Sequence, residues 1–254
     1  MATIACQGKT IRSVRAVLFD KDGTLANVES YLTKLGFERS RLVADQLSTD
    51  RPEAQRLSVE SSVLAAFGLS AEALDPAGLL AVGSRYDNEI AAAACLATAG
   101  QGWIEAVSAT KLAFTAAESL VAPKVEHTPL LPNVKALLHR LQAVGLKIGV
   151  VSSDSQVEVE AFVNRYELSE VIWYCGFSVD TLPKTDPNFL QFACDALSAV
   201  PSETLVIGDS AADYALANQG AAGFLGMTGG WRAPVRFAAP IVTFFDLIQV
   251  EAFH

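Results

Sequence analysis

A parallel α/β sheet, opened after its first strand to admit an all-helical insertion, is the fold class that this sequence predicts. Three observations carry it. Residues 14–19 (VRAVLF) form a short apolar run closed by Asp20-Lys21-Asp22-Gly23, the pattern of a buried strand entering a turn. From about 28 to 121 the chain is rich in Ala, Leu, Glu, Ser and Arg with almost no β-branched runs, which predicts helix. Beyond Pro123, Pro129 and Pro132, which punctuate a linker and a turn, apolar strands and amphipathic helices alternate. That alternation implies a parallel sheet with helices on both faces.

Each element has its own local reason. The helical stretch divides into segments 28–47, 53–67, 84–99 and 101–121. Residues 133–144 read as an amphipathic helix stopped by Gly145, a C-terminal helix signal. Strands follow at 147–151 (KIGVV), 171–177 and 204–207 (TLVI), with a weaker one at 221–227. Helices are predicted at 155–166, 186–199 and 211–219, and a last short strand or helix at 240–249. The chain therefore divides into a core of residues 1–27 plus 123–254 and an insertion of residues 28–122, with 25–30 and 122–130 as linkers.

The composition sets the functional bounds. A length of 254 residues is ~1.7 average domains, one core with a smaller insertion. With 51% hydrophobic and 19% charged residues, the chain can bury a sizeable core, so wholesale disorder is excluded. A net charge of −9 disfavours a basic face for nucleic acid or an anionic membrane. The four cysteines (Cys6, Cys95, Cys175, Cys194) lie far apart with no C-x-x-C pair, as expected of buried thiols in a reducing compartment. Residues 1–15 contain Lys9, Arg12 and Arg15 but no apolar segment of the secretory type, so no leader is expected. The longest uncharged run, 214–231, holds five glycines besides Asn218 and Gln219 and is unlike a spanning helix. A cytoplasmic chain that binds neither membrane nor nucleic acid is the expectation.

Ligands of open parallel sheets bind at the carboxyl ends of the strands. The residues at those ends are chemically loaded. Asp20, Asp22, Gly23 and Thr24 follow the first strand, and Ser152, Ser153 and Asp154 the second. Lys184 lies between the third strand and its helix, and Gly208, Asp209, Ser210 and Asp213 follow the fourth. Several carboxylates in one cleft repel each other unless a hard cation joins them, and oxygen ligands suit Mg²⁺. A lysine and a hydroxyl suit phosphoryl oxygens. One carboxylate can act as nucleophile, and a second, two residues on, as general acid and base.

Taken singly, these signals have plainer readings. Asp22-Gly23 is also a turn pair, Ser152-Ser153-Asp154 and Asp209-Ser210 are also helix caps, and Asp213 is also a first-turn acid. His127, His139 and His254 show no metal-ligand spacing, and no G-x-S-x-G or G-x-x-x-x-G-K-[ST] occurs, so neither a serine-hydrolase elbow nor a P-loop is supported. Residues 226–231 read as a loop after the last core strand in preference to a lining of the cleft, and Arg85, Tyr86 and Lys111 as surface residues of the insertion in preference to substrate contacts.

Together the segments resemble the haloacid dehalogenase superfamily. Asp20-Lys21-Asp22-Gly23-Thr24 is similar to its D-x-D-G-T signature, Val151-Ser152 to its second motif and Lys184 to its third-motif lysine. Gly208-Asp209-Ser210-Ala211-Ala212-Asp213 is similar to its fourth motif, G-D-x-x-x-D. The insertion resembles the C1-type helical cap of the phosphoglycolate-phosphatase-like branch. The resemblance implies a Rossmann-like, doubly wound core and a Mg²⁺-dependent phosphomonoesterase acting on a small phosphorylated metabolite. It makes Asp20 the nucleophile and Asp22 the general acid and base. Ser152 and Lys184 would contact the phosphoryl group, with Ser153 beside them. Asp20, Asp209, Asp213 and the Asp22 carbonyl would hold Mg²⁺. Lys21 stands where the family often has an apolar residue, either adding positive potential to the site or facing solvent. A sugar-phosphate mutase and a non-catalytic binding module share these motifs and stay as alternatives. The oligomeric state is open.

Overall fold

A computed structural model describes residues 1–121, 123–177, 182, 184–235 and 241–252. The chain forms two compact units, one of Met1–Val28 with Thr128–His254 and the other Glu29–His127. Expectations that fall on residue 122, Pro240 and His254 lie outside the described residues.

The first unit is built on a six-stranded parallel sheet. Its strands are β3 (Ala16–Asp20), β4 (Lys147–Ser155), β5 (Val171–Phe177), β6 (Thr204–Gly208), β7 (Gly223–Met227) and β8 (Ile241–Val242), in the order β5-β4-β3-β6-β7-β8. Every residue of β3 and β6 is buried. That is why these strands read as continuous apolar runs: a central parallel strand is covered on both faces. The chain leaves β3 for β4 and β5 on one side and returns to β6 on the other. The reversal of strand order makes the carboxyl ends of β3 and β6 the switch point where such sheets bind ligands.

Helices α7 (Val134–Ala143), α8 (Gln156–Arg165), α9 (Phe189–Ala196) and α10 (Ala211–Ala217) connect these strands. On one face, Leu18, Val151 and Val206 of the sheet pack with Phe189, Leu190, Cys194 and Leu216. Ser155 caps α8 in a reciprocal box with Glu158. The cap is therefore one residue beyond the Ser152-Ser153-Asp154 group. β4 runs to Ser155 rather than ending at 151, so Ser152 and Ser153 lie on the strand instead of after it. The extra length pairs Ser155 with Phe177 across an irregular stretch of register.

The ends of the chain form an unexpected second sheet, β2-β1-β9. β1 (Ala2–Cys6) and β2 (Lys9–Val14) make an antiparallel hairpin, and β9 (Gln249–Ala252) pairs antiparallel with β1. Gln7 and Gly8 both have positive φ, 47° and 80°, the backbone of a tight primed turn. The predicted strand at 14–19 is thus two elements: Val14 closes β2 and Ala16 opens β3.

The second unit is helical. Its longer helices are α1 (Glu29–Ala44), α2 (Glu53–Phe67), α4 (Arg85–Thr98) and α5 (Trp103–Leu120), with single turns α3 (Leu79–Val82) and α6 (Lys124–His127). Phe67 and Phe114 meet edge to face with centroids 6.2 Å apart. Buried Arg39 stacks 4.3 Å from the Phe114 centroid and pairs with Glu118 at 2.8 Å. Such stacking and pairing offset part of the cost of removing a guanidinium from water, and Arg39 Nε is left without a hydrogen-bond partner among the described residues. Arg85 pairs with Glu118 at 2.9 Å, and Tyr86 is exposed. The two chain segments entering and leaving this unit run beside each other within the first unit, where Asn27 N–H donates to the Pro129 carbonyl and Leu131 N–H to the Leu25 carbonyl.

Cys6, Cys175 and Cys194 are buried free thiols and Cys95 is half-buried. Among the described residues, no helix is long and apolar enough to cross a membrane.

Candidate active site

The backbone ladder places the site before any side chain is considered. Phe19 pairs with Val150 on one side and Ile207 on the other, and Asp20 lies opposite Val151. Asp20 therefore ends β3 with Ser152 one position past its partner Val151 on β4 and Asp209 the residue that follows the end of β6 at Gly208.

Lys184 closes the set from 164 residues away. Its ammonium donates to Asp20 Oδ1 and, at 2.9 Å, to Asp213 Oδ1. Asp20, Asp209 and Asp213 are 6%, 4% and 1% exposed. Each offers an oxygen within 4.8 Å of the others. Asp213 has two tasks. Its Oδ2 accepts from the Ser210 N–H and hydroxyl, capping α10, while Oδ1 faces Lys184. Asp213 therefore caps α10 and also faces the cluster around Asp20.

Burial dominates the electrostatics. It pushes the Asp20 carboxyl up to about 6, against the opposing pull of the Lys184 ammonium, and the Asp213 carboxylate raises it further. Burial, with Asp20 and Asp213 close by, also holds the Asp209 carboxyl well above the usual carboxylate range. Burial disfavours charge on Lys184, yet the Asp20 and Asp213 carboxylates outweigh that and keep the amine firmly protonated. One ammonium bonded to two of three clustered, buried carboxylates leaves an excess of negative charge when all three are ionised.

The cluster suits a divalent cation. Among the described residues, Asp20 Oδ2 is buried without a hydrogen-bond partner, and a lone buried carboxylate oxygen is costly unless something positive meets it. An all-oxygen donor set matches Mg²⁺ chemistry.

Other predicted residues are arranged differently. The Asp22 carboxylate pairs with the neighbouring Lys21 ammonium. Lys21 does not face solvent: it is 1% exposed, 2.8 Å from Asp154 and 5.3 Å from the Phe162 centroid. Burying the ammonium between two carboxylates accounts for a lysine in this position. Ser152 is buried and its Oγ accepts from the Asp154 N–H at 3.1 Å, whereas Ser153 is exposed. His139 is an exposed helix residue, 2.7 Å from Glu170.

Two residues outside the predicted set join it. Thr24 donates to Asp209 Oδ1 at 3.1 Å, and the Trp231 indole donates to Oδ2 at 2.6 Å. Thr24 is within the signature and was legible there. Trp231 lies in a segment that reads as an ordinary loop, and no local pattern marks it.

A family model described as haloacid dehalogenase-like hydrolase matches residues 14–220. The chain belongs to this family. Among curated haloacid dehalogenase-like relatives, one named "Probable phosphoglycolate phosphatase" from Pseudomonas putida is 28% identical over 127 residues, 48% of this chain and 50% of the relative. The (S)-2-haloacid dehalogenase 4A of Burkholderia cepacia is 30% identical over 84 residues, 32% of this chain and 36% of that enzyme. The matched stretches thus span half or less of these relatives. A crystal structure titled as a predicted phosphoglycolate phosphatase from Haemophilus somnus superposes with a TM-score of 0.65 at 20% identity, covering 92% of this chain and 96% of that one. These likenesses give the haloacid dehalogenase-like fold.

Proposed function

We propose that this hydrolase is a Mg²⁺-dependent phosphomonoesterase that acts on a small soluble phosphate ester in the cytoplasm. The arrangement of Asp20 carries the reading: one oxygen is held by Lys184, the other is buried and unbonded among the described residues, and Asp209 and Asp213 lie alongside.

In the first step an Asp20 oxygen attacks phosphorus, an aspartyl–phosphate bond forms, and the ester P–O bond breaks. The departing alkoxide takes a proton from the Asp22 carboxyl. In the second step the Asp22 carboxylate takes a proton from water, whose oxygen attacks phosphorus. The aspartyl–phosphate bond breaks, and Asp20 and phosphate are released. Such proton transfers contribute roughly 10²–10⁴-fold each. Lys184 orients Asp20 and offsets phosphoryl charge. Ser152, with Ser153 next to it, hydrogen-bonds phosphoryl oxygens. Mg²⁺, when bound by Asp20, Asp209, Asp213 and the Asp22 carbonyl, supplies Lewis-acid neutralisation of that charge. Residues 28–122 act as the cap domain that selects the ester.

The dehalogenase names among the relatives make halide displacement the second reading. Asp22 favours the phosphatase, because an alkoxide leaving group needs a proton and a halide does not. The test is release of phosphate from a panel of small esters and of chloride from 2-chloropropionate, with Mg²⁺ and with chelator. Mg²⁺-dependent phosphate release that disappears in Asp20→Asn supports the proposal. Chloride release without phosphate release overturns it, and an isomerised ester without free phosphate identifies a mutase.

A further inference from the structure

Asp209 differs from its acidic neighbours in how it is held. Lys184 donates to Asp20 and Asp213. Among the described residues, the side-chain hydrogen bonds to Asp209 come from Thr24 and Trp231, one to each oxygen, at 3.1 and 2.6 Å. Both donors are uncharged. They fix the plane of the carboxylate without cancelling its charge, which is what a ligand for a small, geometrically demanding cation requires.

The packing around the indole is close. Trp231 is 8% exposed. A Cβ at Gly23 would collide with Asp209 Oδ2 and with the indole, and one at Gly230 would collide with the Gly23 carbonyl. Two glycines therefore let the loop after β7 press against the turn that follows Asp20, and this contact aims the indole N–H at Asp209. A flexible polar side chain in place of the indole would lose rotamer entropy on being held there, whereas a wedged indole is ordered by its packing.

We infer that Trp231 is a positioning residue for Asp209, that it raises the affinity of the acidic cluster for Mg²⁺, and that its indole senses the cation. The inference rests on the reading of Asp20, Asp209 and Asp213 as a Mg²⁺ site. The chain has three tryptophans, so the Trp103→Phe/Trp173→Phe variant leaves Trp231 as the sole indole. Its emission should change on titration with Mg²⁺, with the midpoint found by calorimetry. Trp231→Phe keeps an aromatic ring but has no N–H, and should weaken Mg²⁺ binding by about 10–100-fold. The KM for the ester at saturating Mg²⁺ should be retained. Thr24→Val, which removes the other donor, should weaken binding in the same sense and covers the case in which Trp231→Phe does not fold. Wild-type Mg²⁺ affinity in folded Trp231→Phe, or an unchanged Trp231 signal while calorimetry detects binding, overturns the inference and leaves the phosphatase reading standing. Absence of Mg²⁺ binding to the wild-type chain overturns both.

Discussion

The Lys21 ammonium lies 2.8 Å from the Asp154 carboxylate, in a pair whose lysine side chain is 2% exposed. The same ammonium contacts Asp22, so one buried cation ties the turn after β3 to the end of β4. Removing one partner of such a pair leaves a buried charge without its counter-charge, which costs more than the pair itself contributes. Lys21→Met should therefore destabilise the chain by on the order of 3 kcal/mol, and Asp154→Asn, which keeps an acceptor, by less. Urea unfolding checks this; an unchanged midpoint for Lys21→Met would show that the pair carries no stability.

Asp20→Asn should lower turnover by about 10⁴-fold or more, as expected for loss of a nucleophile. A neutral amide in a cluster with excess negative charge should not impair folding. Single-turnover phosphate release and circular dichroism on the same preparation separate the two effects.

The metal-free chain should lose stability as pH rises from about 4 to about 6. The folded Asp20 carboxyl is pushed up by burial to about 6 from its ordinary 3.8. Between those values the unfolded chain has released a proton that the folded chain keeps, so deprotonation favours unfolding. Asp209 shifts in the same direction. Mg²⁺ binds the ionised carboxylates, so its stabilising effect should grow across the same window. Thermal melts near pH 5 and pH 7.5, with chelator and with Mg²⁺, measure both trends. A Mg²⁺ shift of equal size at the two pH values would contradict the electrostatic account.

Lys184→Met should remove the only ammonium bonded to Asp20 and Asp213 among the described residues. Turnover should fall by roughly 10²–10³-fold, the scale of losing one preorganised charge-stabilising donor. Retention of activity within a few-fold would remove Lys184 from the proposed site.

Gly23→Ala should disturb the site through the backbone. Gly23 has a φ of 79° and faces Asp209 and Trp231 without room for a Cβ. The strain and the overpacking together should cost about 1–3 kcal/mol and weaken Mg²⁺ binding. Calorimetry with Mg²⁺ alongside urea unfolding tests both parts.

Much of this was legible along the chain, for reasons particular to each element. β3 and β6 are buried on both faces, so their sequences are unbroken apolar runs. The long helices of the insertion announce themselves by composition, and α4 begins at Ser84 in a capping box with Asp87. β1, β2 and β9 were not legible, because a strand such as KTIRSV is largely exposed and polar and β1 is held by β9 from the opposite end of the chain. The end of β4 was misplaced because Ser152, Ser153 and Asp154 carry turn and cap chemistry while their backbone continues the strand.

The sequence by itself determined the parallel core, its interruption after the strand that ends at Asp20, and the order of Asp20, Asp22, Ser152, Lys184, Asp209 and Asp213 along the chain. Those follow from local hydrophobic period and from residue types at strand ends, both properties of contiguous segments. Only the tertiary structure decided which of these side chains touch. Lys184 reaches Asp20 across 164 positions, Trp231 reaches Asp209 across 22, and Lys21 is buried rather than solvated. Each depends on how separate loops meet over the sheet, where close packing and the cost of burying unpaired charge select the partners, and no local pattern records that selection.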